Sequence, residues 1–182
     1  RGRQAVSLAR EGKRVALISS GDAGVYGMAG LAYELARDSH LIEIIPGVSC
    51  VNAAAAALGA PLMQDYAVIS LSDLLIPWED IQQRLELAAQ GNFVLILVNP
   101  RSQGRREQIV RARDILLRSR SASTPVGVVR NAGRTGESVV LTDLAHLLDQ
   151  EIDMATTVIV GNRSTFCLEG RMVTPRGYKI RD

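Results

Sequence analysis

Short apolar runs alternate with amphipathic, alanine-rich or charged segments along the 182-residue chain. In the first third, apolar runs at residues 14–19 and 42–45 predict two strands. Helical patterns at residues 4–11, 25–37 and 51–58 surround them, and glycine or proline ends most of these segments. This order of strands and helices predicts a parallel sheet with helices packed on it.

The alternation restarts after a proline-containing stretch at residues 60–65 that lacks periodicity. We therefore expect an α/β protein with two domains: residues 1–66 as the remainder of an N-terminal α/β domain, and residues 67–182 as a C-terminal α/β domain. The tail, residues 171–178, predicts an edge strand and a turn. Strands are predicted at residues 66–71, 93–98, 125–130, 138–141 and 156–160, and helices at residues 81–90, 105–118 and 144–150.

Composition narrows the class of protein. Hydrophobic residues make up 47% of the chain and charged residues 22%, as in globular proteins. No apolar run approaches the roughly 20 residues that span a membrane, so we expect no membrane partner. The net charge of +2 is too small to predict a nucleic-acid partner. Cys50 and Cys167 match no zinc-ligand spacing, so we expect no metal site and a reducing, cytoplasmic location.

The first candidate site follows the first predicted strand and reads SSGDAGVYG, residues 19–27. Ligands bind beyond the carboxyl ends of parallel strands, and Gly21 and Gly24 would let a ligand approach the backbone. Asp22 could accept hydrogen bonds from ribose hydroxyls or hold a cationic group. The segment matches neither the dinucleotide nor the P-loop fingerprint. A nucleotide-like site and a plain turn with Asp22 as a helix cap both remain open.

The second candidate site, IPGVSCV at residues 45–51, ends the next predicted strand and begins a helix with Ser49 as its cap. Cys50 is a poor candidate for a nucleophile, because no histidine lies near it in sequence and buried cysteines are usually inert.

Three further predicted strands end in an asparagine with arginine close by, at Asn99, Asn131 and Asn162. Arginine binds carboxylates in a bidentate manner, so these strand ends suit a ligand that carries several carboxylates. The alternative for any single arginine is an ordinary solvated loop residue. The candidate substrate-binding residues are Arg101, Arg130, Asn131, Arg134 and Arg163.

Six segments together resemble a known family. ISSGDAGVYGMA, IPGVSCVNAAAAALGAPL, LVNPRS, VVRNAGR, IVGNRST and MVTPRGY occur in this order. They resemble the tetrapyrrole methylases of cobalamin and porphyrin biosynthesis over essentially the whole chain, and within that family the branch that methylates at C17. The resemblance implies two α/β domains with S-adenosyl-L-methionine in the cleft between them.

The resemblance also implies an activity and a set of contacts. It implies methylation of precorrin-3B, or its cobalt-containing counterpart, at C17 with contraction of the ring. It implies an anionic tetrapyrrole substrate and a homodimer. The family's cofactor contacts fall on Ser20, Gly21, Asp22, Val25, Ser49, Cys50, Val98, Asn99, Ala132, Thr156 and Thr157.

One departure from the family pattern leaves alternatives open. The family opens with a strand and a GxGPG loop, which this chain lacks, so we expect roughly 60 residues, or about two strand–helix units, to be missing before Arg1. The alternatives are a sister precorrin methyltransferase that acts at another ring position and a catalytically inactive binding fragment. No residue identifies itself as the acid or base for ring contraction, although Ser72, Asp73, Asn131 and Glu137 are candidates.

Overall fold

A computed structural model describes residues 1–179 of the chain. The chain divides into two compact units, Arg1–Asn52 and Ala53–Asp182. This division lies earlier in the chain than the domain boundary expected after residue 66, which stays a prediction. The last three residues of the expected C-terminal domain, 180–182, lie outside the described residues.

The first unit contains two short helices that pack on each other. Helix α1 spans Gly2–Arg10 and helix α2 spans Ala29–Ala36, followed by a 3-10 turn at Ser39–Leu41. The small buried residues of α2 allow the two helices to approach closely. The Arg10 guanidinium donates a hydrogen bond of 2.8 Å to the carbonyl of Ala36, which satisfies one of the free carbonyls at the end of α2.

The two strands predicted in this unit are absent. Residues 14–19 and 42–45 form no ladder with any other described segment, so the expected parallel sheet is wrong for this part of the chain. Apolar composition alone does not make a strand, because a strand needs a hydrogen-bonded neighbour. The side chains of Ile18 and Ile45 are accordingly 89% and 68% exposed. The helix predicted at residues 25–37 is also shorter, since residues 23–28 form turns.

The predicted helices and strands of the second part of the chain are largely confirmed. The short helix expected at residues 144–150 is only a 3-10 turn at Leu147–Asp149. The helices are α3 Cys50–Leu58, α4 Trp78–Gln90 and α5 Gln108–Leu117. The strands are β1 Gly59–Ala60, β2 Tyr66–Ser70, β3 Val94–Val98, β4 Pro125–Arg130, β5 Ser138–Asp143, β6 Thr156–Val160, β7 Phe166–Leu168 and β8 Arg171–Val173.

Five strands form a mixed sheet in the order β2-β3-β6-β4-β5. β2 and β3 are parallel, whereas β6 runs antiparallel to both β3 and β4, and β5 runs antiparallel to β4. The expectation of a parallel sheet is therefore wrong here too. The loop at residues 131–137 is too short to hold the crossover helix that a parallel pair of β4 and β5 would need. A smaller sheet has the order β1-β8-β7. The strand predicted in the tail is thus present as β8, but it is the central strand of this sheet and not an edge strand, because it pairs with both β1 and β7.

The core lies on both faces of the large sheet. All five residues of β3 and all five of β6 are buried, as expected for central strands covered on both sides. On one face, Leu95 and Leu97 belong to a cluster with Leu85 of α4 and Leu116 of α5. On the other face, the side chain of Leu58 at the end of α3 lies against the backbone of β4 at Gly127. Within residues 1–179, no helix is long and apolar enough to cross a bilayer.

The close approach of α3 to β4 predicts a size limit at Gly127. A Cβ atom there would lie 2.9 Å from Cγ of Leu58 and closer still to its methyl groups, and Leu58 is only 1% exposed. We expect Gly127→Ala to lower the free energy of unfolding by about 1–3 kcal/mol through overpacking. Urea denaturation should show a lower midpoint with an unchanged slope. Gly104→Ala is the matched control, because a Cβ at Gly104 meets nothing within 4 Å. Equal midpoints for the two variants would contradict the packing argument.

Candidate functional site

Asp22 joins the two glycine-rich loops of the first unit. Its Oδ1 accepts a hydrogen bond of 2.8 Å from the amide of Gly24, and its Oδ2 accepts one of 2.9 Å from the amide of Gly47. Asp22 is not a helix cap, because α2 begins only at Ala29. The carboxylate therefore holds the SSGDAGVYG and IPGVSCV segments together, a role that spacing along the chain did not reveal.

These hydrogen bonds also set the charge of Asp22. The amide of Gly47, and then that of Gly24, lower the pKa of the Asp22 carboxyl below its ordinary value of 3.8, because they stabilise the ionised form. Asp22 is thus negative at neutral pH. The amide of Val25 also lowers this pKa, so the carboxylate, with about four lone-pair sites on its two oxygens, retains the capacity to accept about one more hydrogen bond from a ligand.

The second loop ends in a helix cap at Ser49, as the sequence predicted. Ser49 is buried and its Oγ accepts a hydrogen bond of 3.3 Å from the amide of Val51, which confirms it as the cap of α3. Cys50 is the first residue of α3, with an exposed free thiol. In the first loop, Ser20 and Val25 are exposed. Ser20, Val25 and Cys50 are therefore accessible on the two loops that Asp22 joins, whereas Ser49 is not.

The register of the large sheet brings the remaining candidate cofactor residues to one end of it, hereafter the site end. Ser70 at the end of β2 pairs with Val98 at the end of β3. Arg130 at the end of β4 pairs with Thr156 at the start of β6. Because β6 is antiparallel to its neighbours, its first residues, not its last, lie at the site end. Val98, Asn99, Ala132, Thr156 and Thr157 all lie there.

Two asparagines turn the chain at the site end. Asn99 and Asn131 each follow a strand with a φ of 52°, in the left-handed region that asparagine tolerates better than most residues. The Asn99 side-chain amide donates a hydrogen bond of 3.0 Å to Oγ of Ser70. The Asn131 side-chain amide donates one of 3.3 Å to the carbonyl of Gly136. The asparagine at each strand end thus has a conformational role beside any ligand contact.

Arg130 and Thr156 are linked through acidic residues. The Arg130 guanidinium forms ion pairs with Glu151 at 2.9 Å and Asp153 at 2.8 Å. Oγ1 of Thr156 donates a hydrogen bond of 2.9 Å to Asp153 and accepts one of 3.0 Å from the Asp153 amide. Burial raises the pKa of Asp153, but the hydrogen bonds from Thr156 and Ala155 and the charge of Arg130 outweigh it and lower the pKa overall.

The other predicted arginines occupy different places. Arg101 lies at the site end, beyond Asn99 and Pro100, and Arg134 is exposed in the loop that follows β4. Arg163 is not brought together with them. It follows β6, so it lies at the opposite end of the sheet, where its amide donates to the Asn92 side chain. Burial, together with the charge of Arg163, lowers the pKa of nearby Arg120 to about 10.

The candidate acids and bases already form hydrogen bonds with other residues of the chain. The Asp73 carboxylate accepts a hydrogen bond of 2.9 Å from Gln108, and the Glu137 carboxylate accepts one of 2.6 Å from the amide of Gly133. The amide of Ser72 donates to Oγ of Ser70. None of these contacts singles out a proton donor or acceptor, and we assign no catalytic acid or base.

Sequence reasoning missed the residues that support the site end. Ser70, Glu151 and Asp153 hold Asn99, Arg130 and Thr156 in place. Ser70 ends an apolar strand, and the two acids precede another, positions at which polar residues are ordinary. Ser70 and Glu151 lie 29 and 21 residues from their partners Asn99 and Arg130, so only the pairing of β2 with β3 and of β4 with β6 brings them together. Asp153 lies three residues before Thr156, so that bond is local.

The chain is similar in sequence to a protein family and to individual known proteins. The sequence model of the "Tetrapyrrole (Corrin/Porphyrin) Methylases" matches residues 2–148. A protein from Priestia megaterium named "Cobalt-factor III methyltransferase" is 53% identical over 98% of this chain and 34% of its own length. A protein from Salmonella typhimurium named "Probable cobalt-factor III C(17)-methyltransferase" is 51% identical over 97% of this chain and 74% of its own length.

A solved structure shows the same fold. The crystal structure of the methyltransferase CobJ superimposes with a TM-score of 0.89 at 36% identity, over 96% of this chain and 75% of that one. The family and the α/β fold expected from the sequence motifs are therefore confirmed. The chain spans about a third of the Priestia relative and about three quarters of the Salmonella relative.

The lowered pKa of Asp22 predicts pH-dependent order in the two loops that it joins. A carboxyl whose pKa is depressed by folding stabilises the fold above its unfolded value of 3.8, and that contribution is lost as the pH falls through the lower folded value. We expect the hydrogen-exchange protection factors of the Gly24 and Gly47 amides to stay constant while the pH is lowered to 3.8. At lower pH we expect the protection factors to decrease.

Asp22→Ala should abolish that protection at every pH, because both amides lose their acceptor. Asp38→Ala is the matched control, since Asp38 accepts a similar bond of 3.0 Å from the amide of His40. Normal protection of Gly24 and Gly47 in Asp22→Ala would show that the carboxylate does not hold the loops.

Proposed function

The chain belongs to the tetrapyrrole (corrin/porphyrin) methylase family, and from this premise we propose that it transfers a methyl group from S-adenosyl-L-methionine to C17 of a precorrin-3B-type macrocycle. The transfer is coupled to contraction of the ring, in cobalamin biosynthesis. The name of the Salmonella relative supports this position of methylation. The names of both relatives, which share about half of its residues, favour cobalt-factor III, the cobalt-containing counterpart, as the substrate.

The observation that carries the proposal is the convergence of strand ends. Five of the residues onto which the family's cofactor contacts map lie at the site end of one sheet, although they come from three distant segments: Val98, Asn99, Ala132, Thr156 and Thr157. Ends of strands are where ligands bind in α/β sheets. A chance set of residues from three segments would be spread over both ends.

Groups in each of the two units suit parts of the cofactor. The site end offers backbone groups and small or uncharged side chains, such as Ala132 and Asn99, which fit a neutral adenine and ribose. The loops of the first unit offer Ser20, Ser49 and the ionised Asp22, which fit hydroxyl or cationic groups. When bound, S-adenosyl-L-methionine supplies a methyl group that is already activated by its sulfonium.

Positioning is therefore the main task of this chain. Holding two reactants in the reacting geometry contributes roughly 7–11 kcal/mol to lowering a barrier. The bonds that fix Asn99 to Ser70 and Thr156 to Asp153 restrict the rotamers of the residues that would hold the cofactor. Rigid contacts of this kind orient the cofactor without a large entropic cost on binding.

Substrate binding is proposed for the polar residues of the strand ends. Arg101 and Arg134 carry guanidinium groups without an ion-pair partner among the described residues and would bind carboxylates of the macrocycle. Arg130 is paired with Glu151 and Asp153, so its proposed contribution is to hold Asn131 and Thr156 in place. Binding by Arg163, a homodimer and a cytoplasmic location stay predictions.

Calorimetric titration with S-adenosyl-homocysteine, with NAD as the control ligand, tests the cofactor. Mass spectrometry of cobalt-factor III after incubation with the chain and S-adenosyl-L-methionine tests the reaction, and NMR of the product gives the methylated position. Methylation at another carbon would indicate a sister enzyme. Cofactor binding without any turnover would indicate a binding fragment, and binding of NAD alone would refute the methyltransferase.

A substitution at the site end tests where the cofactor binds. Ala132 is half-buried in the loop after β4. We expect Ala132→Leu to fill the space that the cofactor would occupy and to raise the Kd for S-adenosyl-homocysteine by at least about tenfold, which corresponds to roughly 1.4 kcal/mol. Ala122→Leu, at an exposed position before β4, is the matched control and should leave that Kd unchanged. Equal Kd values for the two variants would refute the assignment of Ala132.

A further inference from the structure

The segment after β2 leaves two leucines in solvent at the site end of the sheet. Leu74 is 75% exposed and Leu75 is 95% exposed, and together they are named the apolar tip. Leu71 on one side is fully buried, and Ile76 on the other packs against the core. The segment is thus anchored at both ends and presents its apolar tip to solvent, so the two leucines contribute little to folding and are available to contact a ligand.

The segment after β3 places two arginines beside each other. Its backbone forms a tight turn in which the amide of Ser102 donates to the carbonyl of Arg105 at 2.9 Å, and the amide of Arg105 donates back at 3.2 Å. Arg101 precedes this turn and Arg106 follows it, so the two residues lie on the adjacent chain segments that enter and leave the turn. Neither guanidinium has a hydrogen-bond or ion-pair partner among the described residues.

Side-chain bonds connect the two segments. The Arg105 guanidinium donates to the carbonyl of Leu71 and to the sulfur of Met154, both at 3.4 Å. Gln108 donates to the Asp73 carboxylate at 2.9 Å. Met154 is itself 49% exposed. These bonds bring the apolar tip, Met154 and the flanking arginines to one area of the site end.

The chemistry of this area matches one kind of ligand. Three arginines, at 101, 105 and 106, outnumber the nearby carboxylates of Asp73 and Glu107, so the area is positively charged. The unpaired guanidiniums favour carboxylates, and the leucines favour an extended apolar surface. A large apolar ring that carries carboxylates on its rim satisfies both demands, whereas a small hydrophilic ligand satisfies only the first.

We propose that Leu74 and Leu75 contact the face of the tetrapyrrole macrocycle, while Arg101 and Arg106 bind carboxylates on its rim. This inference rests on the proposed function and extends it, since it adds Leu74, Leu75 and Arg106 to the substrate-binding residues. It also explains why the segment after β2 presents apolar side chains at an end of the sheet that is otherwise polar.

Replacement of the apolar tip tests the inference. We expect Leu74→Ser/Leu75→Ser to raise the Kd for cobalt-factor III, measured by the absorbance change of the macrocycle, by at least about tenfold. The Kd for S-adenosyl-homocysteine and the thermal unfolding midpoint should stay unchanged, because both leucines are exposed. Leu87→Ser is the matched control. Leu87 is 60% exposed in the last turn of α4, away from the site end, and its loss should leave tetrapyrrole binding unchanged.

A second variant tests the proposed ion pair between Arg106 and a carboxylate of the macrocycle. Arg106→Gln should raise the same Kd and reduce its dependence on salt, because one ion pair with a carboxylate is lost. An unchanged tetrapyrrole Kd in the leucine double variant, in a chain that binds both ligands, overturns the inference and leaves the proposed function intact. Failure of the unsubstituted chain to bind either ligand overturns both. Normal tetrapyrrole binding with conversion of a dimer to monomers would identify a second copy of the chain as the occupant, and would also overturn the inference.

Discussion

The insertion of β6 between β3 and β4 is the interaction on which the candidate site depends. Every residue of β3 and β6 is buried, so the backbone amides and carbonyls of both strands need partners within the sheet. The ladder that satisfies them also sets the register, with Arg130 opposite Thr156 and Ser70 opposite Val98. A shift of β6 by one residue would turn Val158 and Val160 away from the cluster with α4 and α5 and onto the other face of the sheet, so the positions of the strand ends are tightly specified.

Polar side chains at the site end stabilise the turns and strand ends of the sheet, whether or not a ligand is bound. Asn99 and Asn131 accept a left-handed backbone that lets the chain leave the sheet sharply, and each is held by a side-chain hydrogen bond. Arg130 and Asp153 neutralise each other where β4 meets β6. In the first unit, the Asp22 carboxylate holds two loops through backbone amides. Groups fixed in this way are suited to orienting a cofactor, because little conformational freedom remains to be lost on binding.

The arginines around the large sheet differ in whether other residues of the chain pair with them. Guanidinium groups next to the ladder, such as that of Arg130, are paired with carboxylates of the chain. Arg120, buried at the opposite end of the sheet, donates to the carbonyls of Gly161 and Phe93. Arg101 and Arg106, which flank a tight turn beyond β3, have no such partner among the described residues. Arg101 and Arg130, which were equivalent as predicted substrate-binding residues, thus differ in the charge that they can offer to a ligand.

The sequence by itself determined the family, the α/β class and most helices and strands after residue 53, because these depend on local motifs and on apolar runs such as that of β3. It did not determine the direction of β6, and hence that Thr156 lies at the site end and Arg163 at the opposite one. Periodicity reports which faces of a strand are buried and carries no information about its direction or its neighbours. For the same reason, residues 14–19 read as a strand although no described segment pairs with them. Only the tertiary structure decided these pairings, since their hydrogen bonds join residues that are far apart in the chain.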